Sequence, residues 1–303
     1  MMIPPGASQA DIDNLRQLYG LDKSILDQFL IWCGAEGGDF GTSISLRQDV
    51  ADLILSRLPA TLELAVSAMA LAVVLGIAMA IIGTYWQNRW PEAVVDGISG
   101  FNQAIPDFLW GLIFILMLGV LWPILPISGR IDPRTGVEFT TQFYLVESIL
   151  RGKFAILADL VRHMLLPMVA LALPLTAVIT RTLKASLLET MTQDYILLSE
   201  IKGFSRWRIL IVEALRNALI PTVALSGVQF NFLLGGTVLI ERIFSYPGIG
   251  NMAIGAVIDR DLPLIQGLII TGSNIDLKPS PSALKAKTEA IMHRTGNVIT
   301  HHA

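Results

Sequence analysis

The 303 residues are 53% hydrophobic and 16% charged, whereas soluble domains carry roughly 25% charged residues. A net charge of −3, with no Lys/Arg cluster interleaved with aromatics, excludes a basic field for nucleic acid. The lone cysteine, Cys33, excludes an intramolecular disulfide and any multi-cysteine metal or redox motif.

The apolar residues fall in blocks separated by polar segments, which predicts one all-α integral membrane bundle rather than two soluble domains. The first residues, MMIPPGASQADIDNLRQ, show no basic stretch followed by an apolar run, so neither a signal peptide nor a first span is expected there. Residues 1–59 read as an external segment and 60–270 as the transmembrane domain. A bilayer core about 30 Å thick requires roughly 20 consecutive apolar residues in a helix, because lipid offers no partners for unpaired backbone groups.

Four stretches meet that requirement. The first, about 60–84, has Pro59 placed for a first helical turn and Glu63 near the positive end of the helix dipole. The second, about 104–125, carries Trp110 and Trp122 toward its ends as interfacial anchors. The third, about 164–183, contains Pro167 and Pro174, which predict kinks. The fourth, about 218–240, has Ser226, Gly227, Gly235 and Gly236, small enough for close helix contact. A fifth run, 262–270, is too short to cross alone, and residues 271–303 read as a polar tail. His293, His301 and His302 in that tail match no metal-site spacing. No cofactor and no catalytic residue is expected, since the spans offer only Glu63, Asp107 and a few amides.

Residues 1–59 carry eight acids against four basic residues. Placing them outside puts the loop 184–217 inside, with Lys184, Lys202, Arg206, Arg208 and Arg216, as the positive-inside rule expects. Within that loop Leu197, Ile201, Phe204, Trp207 and Ile211 recur every three or four residues. This predicts one apolar stripe on short helices broken near Gly203, lying on the membrane or docked on a partner.

From Arg181 to Pro221 the loop resembles the EAA loop by which ABC importer permeases engage their ATPases. Gly203 falls on that motif's glycine and Leu215 on its terminal leucine. Leu197, Leu198 and Ser199 stand at the Glu-Ala-Ala positions and Arg216 replaces the final proline. Those departures, with Asp194-Tyr195 and the run from Ala214 to Pro221, resemble the dipeptide, oligopeptide and nickel permease branch. Further landmarks are GDFGTS at 38–43, RLPATLELA at 57–65, LPISGR at 125–130, HMLLP at 163–167 and the run from Gly235 to Gly267.

The resemblance implies a multi-pass subunit of the bacterial cytoplasmic (inner) membrane that translocates di- or oligopeptides and performs no bond chemistry. Its implied partners are a homologous second permease, two ATP-binding subunits and an external solute-binding protein. The implied ATPase contact is Asp194, Leu198, Ile201, Gly203, Phe204 and Trp207, while Gln229 and Asn231 are candidates for the solute path. Against the six spans of the family, the chain reads as lacking the first and most of the sixth. The alternatives are a truncated, nontransporting remnant and an importer of nickel or another small solute.

Overall fold

A computed structural model describes residues 24, 40–136 and 139–275. Apart from an isolated bridge between Thr42 and Asp49, their regular structure is helical. Residues Phe40–Ile265 form one compact unit. Cys33 and the three tail histidines lie outside the described residues.

Helix α1 spans Val50–Tyr85 and begins well before residue 60, because the Asp49 side chain caps it by accepting from Ala51 N at 2.8 Å. Pro59 is therefore interior rather than in the first turn, and Glu63 lies deep in the helix instead of at its positive end. Ala60, Leu64, Ala68, Ala72, Gly76 and Ala80 recur every four residues and are buried along one line. Such a line of small side chains lets backbones approach closely where lipid supplies no hydrophobic drive for helix association. A Cβ added at Gly76 would lie 2.5 Å from Ile179 Cγ2 of the opposing helix, so that crossing admits no larger residue.

Helix α2, Trp90–Ala104, and helix α3, Asp107–Phe114, continued by a π-helical stretch Ile115–Leu121, meet at a 97° bend. The expected span over 104–125 thus corresponds to α3 and its π-helical continuation, 107–121, and α2 precedes it as a separate helix. Pro106 has no N–H and disfavours helical geometry at the preceding residue, and Ile105 is extended at φ −101°, ψ 122°. Trp110 stacks on Phe114 and meets Phe101 edge-on, with its indole Nε1 buried. Trp122, at the helix end, is 57% exposed.

Between α3 and the next long helix, the short helix α4, Tyr144–Leu150, carries Glu147. Burial opposes ionisation of Glu147, but hydrogen bonds from the backbone and hydroxyls of Thr140 and Thr141 outweigh it and hold the carboxyl at about 2. Helix α5, Phe154–Thr190, runs unbroken through Pro167 and Pro174. Lys184, read above as a loop charge, sits inside α5.

After α5 come α6, Asp194–Ile201, the single turn α7, Arg206–Arg208, and a π-helical stretch Ile209–Ala214 that leads into α8, Leu215–Ile243. Helices α9, Ile249–Asp259, and α10, Leu262–Ile275, follow, so the last helix extends past residue 270. Among the described residues, three helical segments, Val50–Tyr85, Phe154–Thr190 and Arg206–Ile243, are long and apolar enough to cross a membrane, and the bent α2–α3 pair makes a fourth if it counts as one span.

Two apolar cores hold the 40–265 unit together. The larger joins α1, α5 and α8 through Leu64, Leu171, Ile179, Leu233 and Ile240, with Phe244 and Tyr246 beyond α8. The smaller gathers Ala80, Leu183, Leu187, Ile196, Ile209, Leu210, Ala214 and Ala218. Its members come from the ends of α1 and α5 and from the segments that follow α5.

Candidate functional site

The segment after α5 is fixed to the bundle by the smaller core, with Ile196, Ile209 and Leu210 each about 1% exposed. Helix α6 stops at a left-handed glycine. Gly203 has φ +80°, its N–H donates to Glu200 O at 2.9 Å, and Phe204 N–H donates to Ser199 O at 3.2 Å. These bonds satisfy carbonyls that the last helical turn leaves open, and only glycine takes that conformation without steric cost. Ser205 then caps the next turn by accepting from Arg208 N.

The predicted stripe divides. Leu197, Leu198, Ile201 and Trp207 are 57, 51, 75 and 51% exposed, whereas Phe204 is half-buried against the smaller core under the Arg208 guanidinium at 4.1 Å. Trp207 rests edge-on against Tyr85, ring centroids 5.5 Å apart, and Arg206 Nη2 donates to Thr84 O. Asp194 is exposed in the first turn of α6, where its charge suits the helix dipole. The result is an apolar ridge on a rigid underside, tied to the end of α1.

Gln229 and Asn231 are both half-buried on α8. Residues two apart on a helix do not share a face, so the structure does not bring them together on one wall. Gln229 lies seven residues, two turns, before Gly236 and shares its face.

Buried charged side chains, among them Glu63, Lys184, Glu241 and Asp261, brace the bundle. Glu63 Oε2 accepts from Arg130 Nη2 at 2.5 Å and its Oε1 accepts from Leu145 N at 3.0 Å. Arg130 also donates to Gln142 O at 2.9 Å and stacks on the Tyr144 ring at 3.9 Å. Lys184 Nζ bridges Asp96 at 2.7 Å and Glu92 at 2.8 Å, tying α5 to α2. Glu241, fully buried, accepts from Thr61 Oγ1 at 2.6 Å and from Asn251 N at 3.1 Å, joining α1 to the start of α9. Asp261, also fully buried, accepts from Ser43 Oγ at 2.5 Å, Ser45 N at 3.0 Å and Ser45 Oγ at 2.8 Å. The FSYPGIG segment is therefore an interior turn: Phe244 and Tyr246 are 1% exposed and Ser245 takes φ +47°.

A family model for the binding-protein-dependent transport system inner membrane component matches residues 72–275. The chain is 36% identical over 256 residues to the dipeptide transport system permease protein DppB of Escherichia coli K12, covering 83% of this chain and 75% of that protein. It is 37% identical over 252 residues to the di/tripeptide transport system permease protein DppB of Pseudomonas aeruginosa UCBPP-PA14, with the same shares covered. To the glutathione transport system permease protein GsiC of Escherichia coli O1:K1 it is 34% identical over 267 residues, covering 88% and 78%.

The chain belongs to this family of inner membrane components. It is a multi-pass inner-membrane permease of an ABC importer, and membership implies a transporter assembled from several subunits. The apolar recurrence read from Leu197 to Ile211 falls on α6, α7 and the π-helical stretch that follows them. Sequence reading missed Glu241 and Asp261, although an ionisable residue in or beside an apolar helix was itself the available signal.

Proposed function

We propose that the permease translocates di- or oligopeptides across the cytoplasmic membrane, powered by ATP hydrolysis in partner subunits that dock on its α6–α7 loop. The carrying observation is the ridge of Leu198, Ile201 and Trp207, exposed in an otherwise anchored loop. Asp194 borders that ridge, Gly203 sets its turn, and Phe204 supports it from beneath. The peptide class follows the printed names of the dipeptide and di/tripeptide relatives. A second permease, two ATP-binding subunits and an external binding protein complete the proposed complex, and the bond chemistry belongs to the ATP-binding subunits.

In this reading the loop faces the cytoplasm. ATP-driven closure of the partners pushes the ridge, and the smaller core passes the displacement to the ends of α1 and α5. Coupling of that kind requires contacts that differ between the two states. A stiff apolar ridge against a moving groove supplies them.

Cysteines placed at 198, 201 and 207 are expected to cross-link to the ATP-binding subunit in assembled transporter. Free labelling of all three from the outside of intact cells would refute both the docking and the orientation. Gly203→Val places a β-branched side chain at φ +80°, a strain of roughly 1–2 kcal/mol or more. With nothing within 4 Å of the added Cβ, the effect is conformational. Peptide uptake per ATP hydrolysed should fall several-fold while membrane insertion is unchanged, and wild-type coupling in that variant would count against the loop's role.

A further inference from the structure

A charged side chain at membrane depth is costly, so it is normally paired, hydrogen-bonded or placed on a ligand path. Glu63 is paired with Arg130, Lys184 with Glu92 and Asp96, and Glu241 is held by Thr61 and the backbone of α9. Asp107 is the exception. Among the described residues its carboxylate forms no ion pair, and its Oδ1 accepts only from the adjacent Phe108 N.

Its place is specific. Asp107 lies at the 97° bend between α2 and α3 and is half-exposed. Its Oδ2 faces α8 so closely that a Cβ added at Gly236 would lie 2.8 Å from it, with Leu171 Cδ2 of α5 at 3.9 Å from the same point. Leu171 is midway along α5, so the carboxylate is at mid-bundle level, against Gly236 of α8. Non-helical backbone at this depth is tolerated where it is buried in protein or lines a water-filled cavity. The last turn of α2 also ends there in open carbonyls that Pro106, lacking an N–H, does not satisfy. Carboxylate and carbonyls together favour a cation.

A second observation is independent of the first. Trp110, one helical turn from Asp107 on the same side of α3, has its indole Nε1 buried with no hydrogen-bond partner. A carboxylate without a cation and a donor without an acceptor thus stand one helical turn apart on α3. A ligand that supplies both a cationic donor and a neighbouring acceptor completes the pair. The first residue of a peptide does so with its α-ammonium and its first carbonyl oxygen. Gln229 shares the Gly236 face two turns along α8, and it continues this polar line toward the cytoplasmic end of the bundle.

We infer that Asp107 is a binding residue on the translocation path that receives the α-ammonium of the peptide, with Trp110 Nε1 donating to its first carbonyl. The inference rests on the peptide-import reading above.

The test uses the complete transporter reconstituted with its partner subunits and binding protein, and follows ATP-driven uptake of radiolabelled dialanine. Asp107→Asn should raise the KM for uptake or lower its maximal rate roughly tenfold or more, the scale of a lost charge-assisted hydrogen bond. Asp107→Glu should recover part of the loss. Trp110→Phe, which keeps a ring and removes the N–H, should act in the same direction more weakly. ATP hydrolysis stimulated by the binding protein should persist in all three. In Asp107→Cys, a water-soluble cationic thiol reagent should label the position, and excess dialanine should slow that labelling. Wild-type uptake by Asp107→Asn, or no labelling of the assembled Asp107→Cys transporter, overturns the inference and leaves the peptide reading standing. A wild-type transporter that takes up no peptide overturns that reading, and the ammonium assignment with it.

Discussion

Arg130→Met is expected to lower the stability of the permease by about 3–5 kcal/mol, because it strands the buried Glu63 carboxylate without its counterion. Both side chains of the pair are almost fully buried, 5 and 6% exposed, at 2.5 Å. The pair reaches further than one contact. Arg130 also holds Gln142 O, Glu63 also holds Leu145 N, and Gly129 N–H donates to Phe244 O. The loop between α3 and α4, α1 and the turn after α8 therefore meet around one ion pair. The double variant Glu63→Met/Arg130→Met should regain part of the loss, since an apolar replacement avoids the desolvation of two charges. Recovery should stop short of wild type because Leu145 N and Gln142 O then lose a partner, at about 1–3 kcal/mol each. The thermal midpoint of the purified transporter measures the series. A double variant no better than Arg130→Met would show that the stranded Glu63 carboxylate is not what the single substitution costs.

Gly250→Ala should disrupt the junction of α8 and α9 as strongly. Its added Cβ would lie 2.5 Å from Val238 Cα and 3.0 Å from Glu241 Oε2. Val238 Cα is backbone, so no rotamer change relieves the overlap, and overpacking of this kind costs typically about 1–3 kcal/mol, occasionally more. Glu241 adds a second loss. It is 0% exposed and accepts from Thr61 Oγ1 and Asn251 N, and Gly248 is so close to its carboxylate that an added Cβ there would overlap it. Displacing α9 breaks those hydrogen bonds and leaves a buried carboxylate unsatisfied. The expected result is a marked fall in the amount of assembled permease in the membrane, whereas Gly255→Ala in the same helix, with nothing within 4 Å of its added Cβ, should be neutral. Equal accumulation of Gly250→Ala and wild type would mean that α9 packs elsewhere.

The fold class and the short helices after α5 were legible because both depend on local spacing. Unbroken apolar runs identify helices in a solvent that cannot satisfy the backbone, and the three- and four-residue recurrence from Leu197 to Ile211 predicts short helices. Gly203 stood out for the same reason, as a glycine within that recurrence, and its φ of +80° is the conformation that requires one. The division of that stripe was not legible. Ile196, Ile209 and Leu210 anchor the loop while Leu198, Ile201 and Trp207 stay exposed, and hydrophobicity alone ranks these side chains alike. The first helix start was misjudged because a polar cap, Asp49, rather than an apolar residue sets the boundary, and α2, which ends at the Pro106 break just where the second span was expected to begin, was not anticipated.

By itself the sequence determined what each segment is able to be: apolar lengths sufficient for a bilayer, a turn that needs glycine, and a line of small residues on α1 that allows close packing. Which residues meet was decided only in three dimensions. Glu63 and Arg130 are 67 residues apart, Thr61 and Glu241 180, and Ser43 and Asp261 218. Local periodicity carries no information over such separations. Whether a carboxylate at membrane depth is paired, like Glu63, or left open at a helix break, like Asp107, is settled by which helix packs against it, and that packing sets the difference between a brace and a binding group.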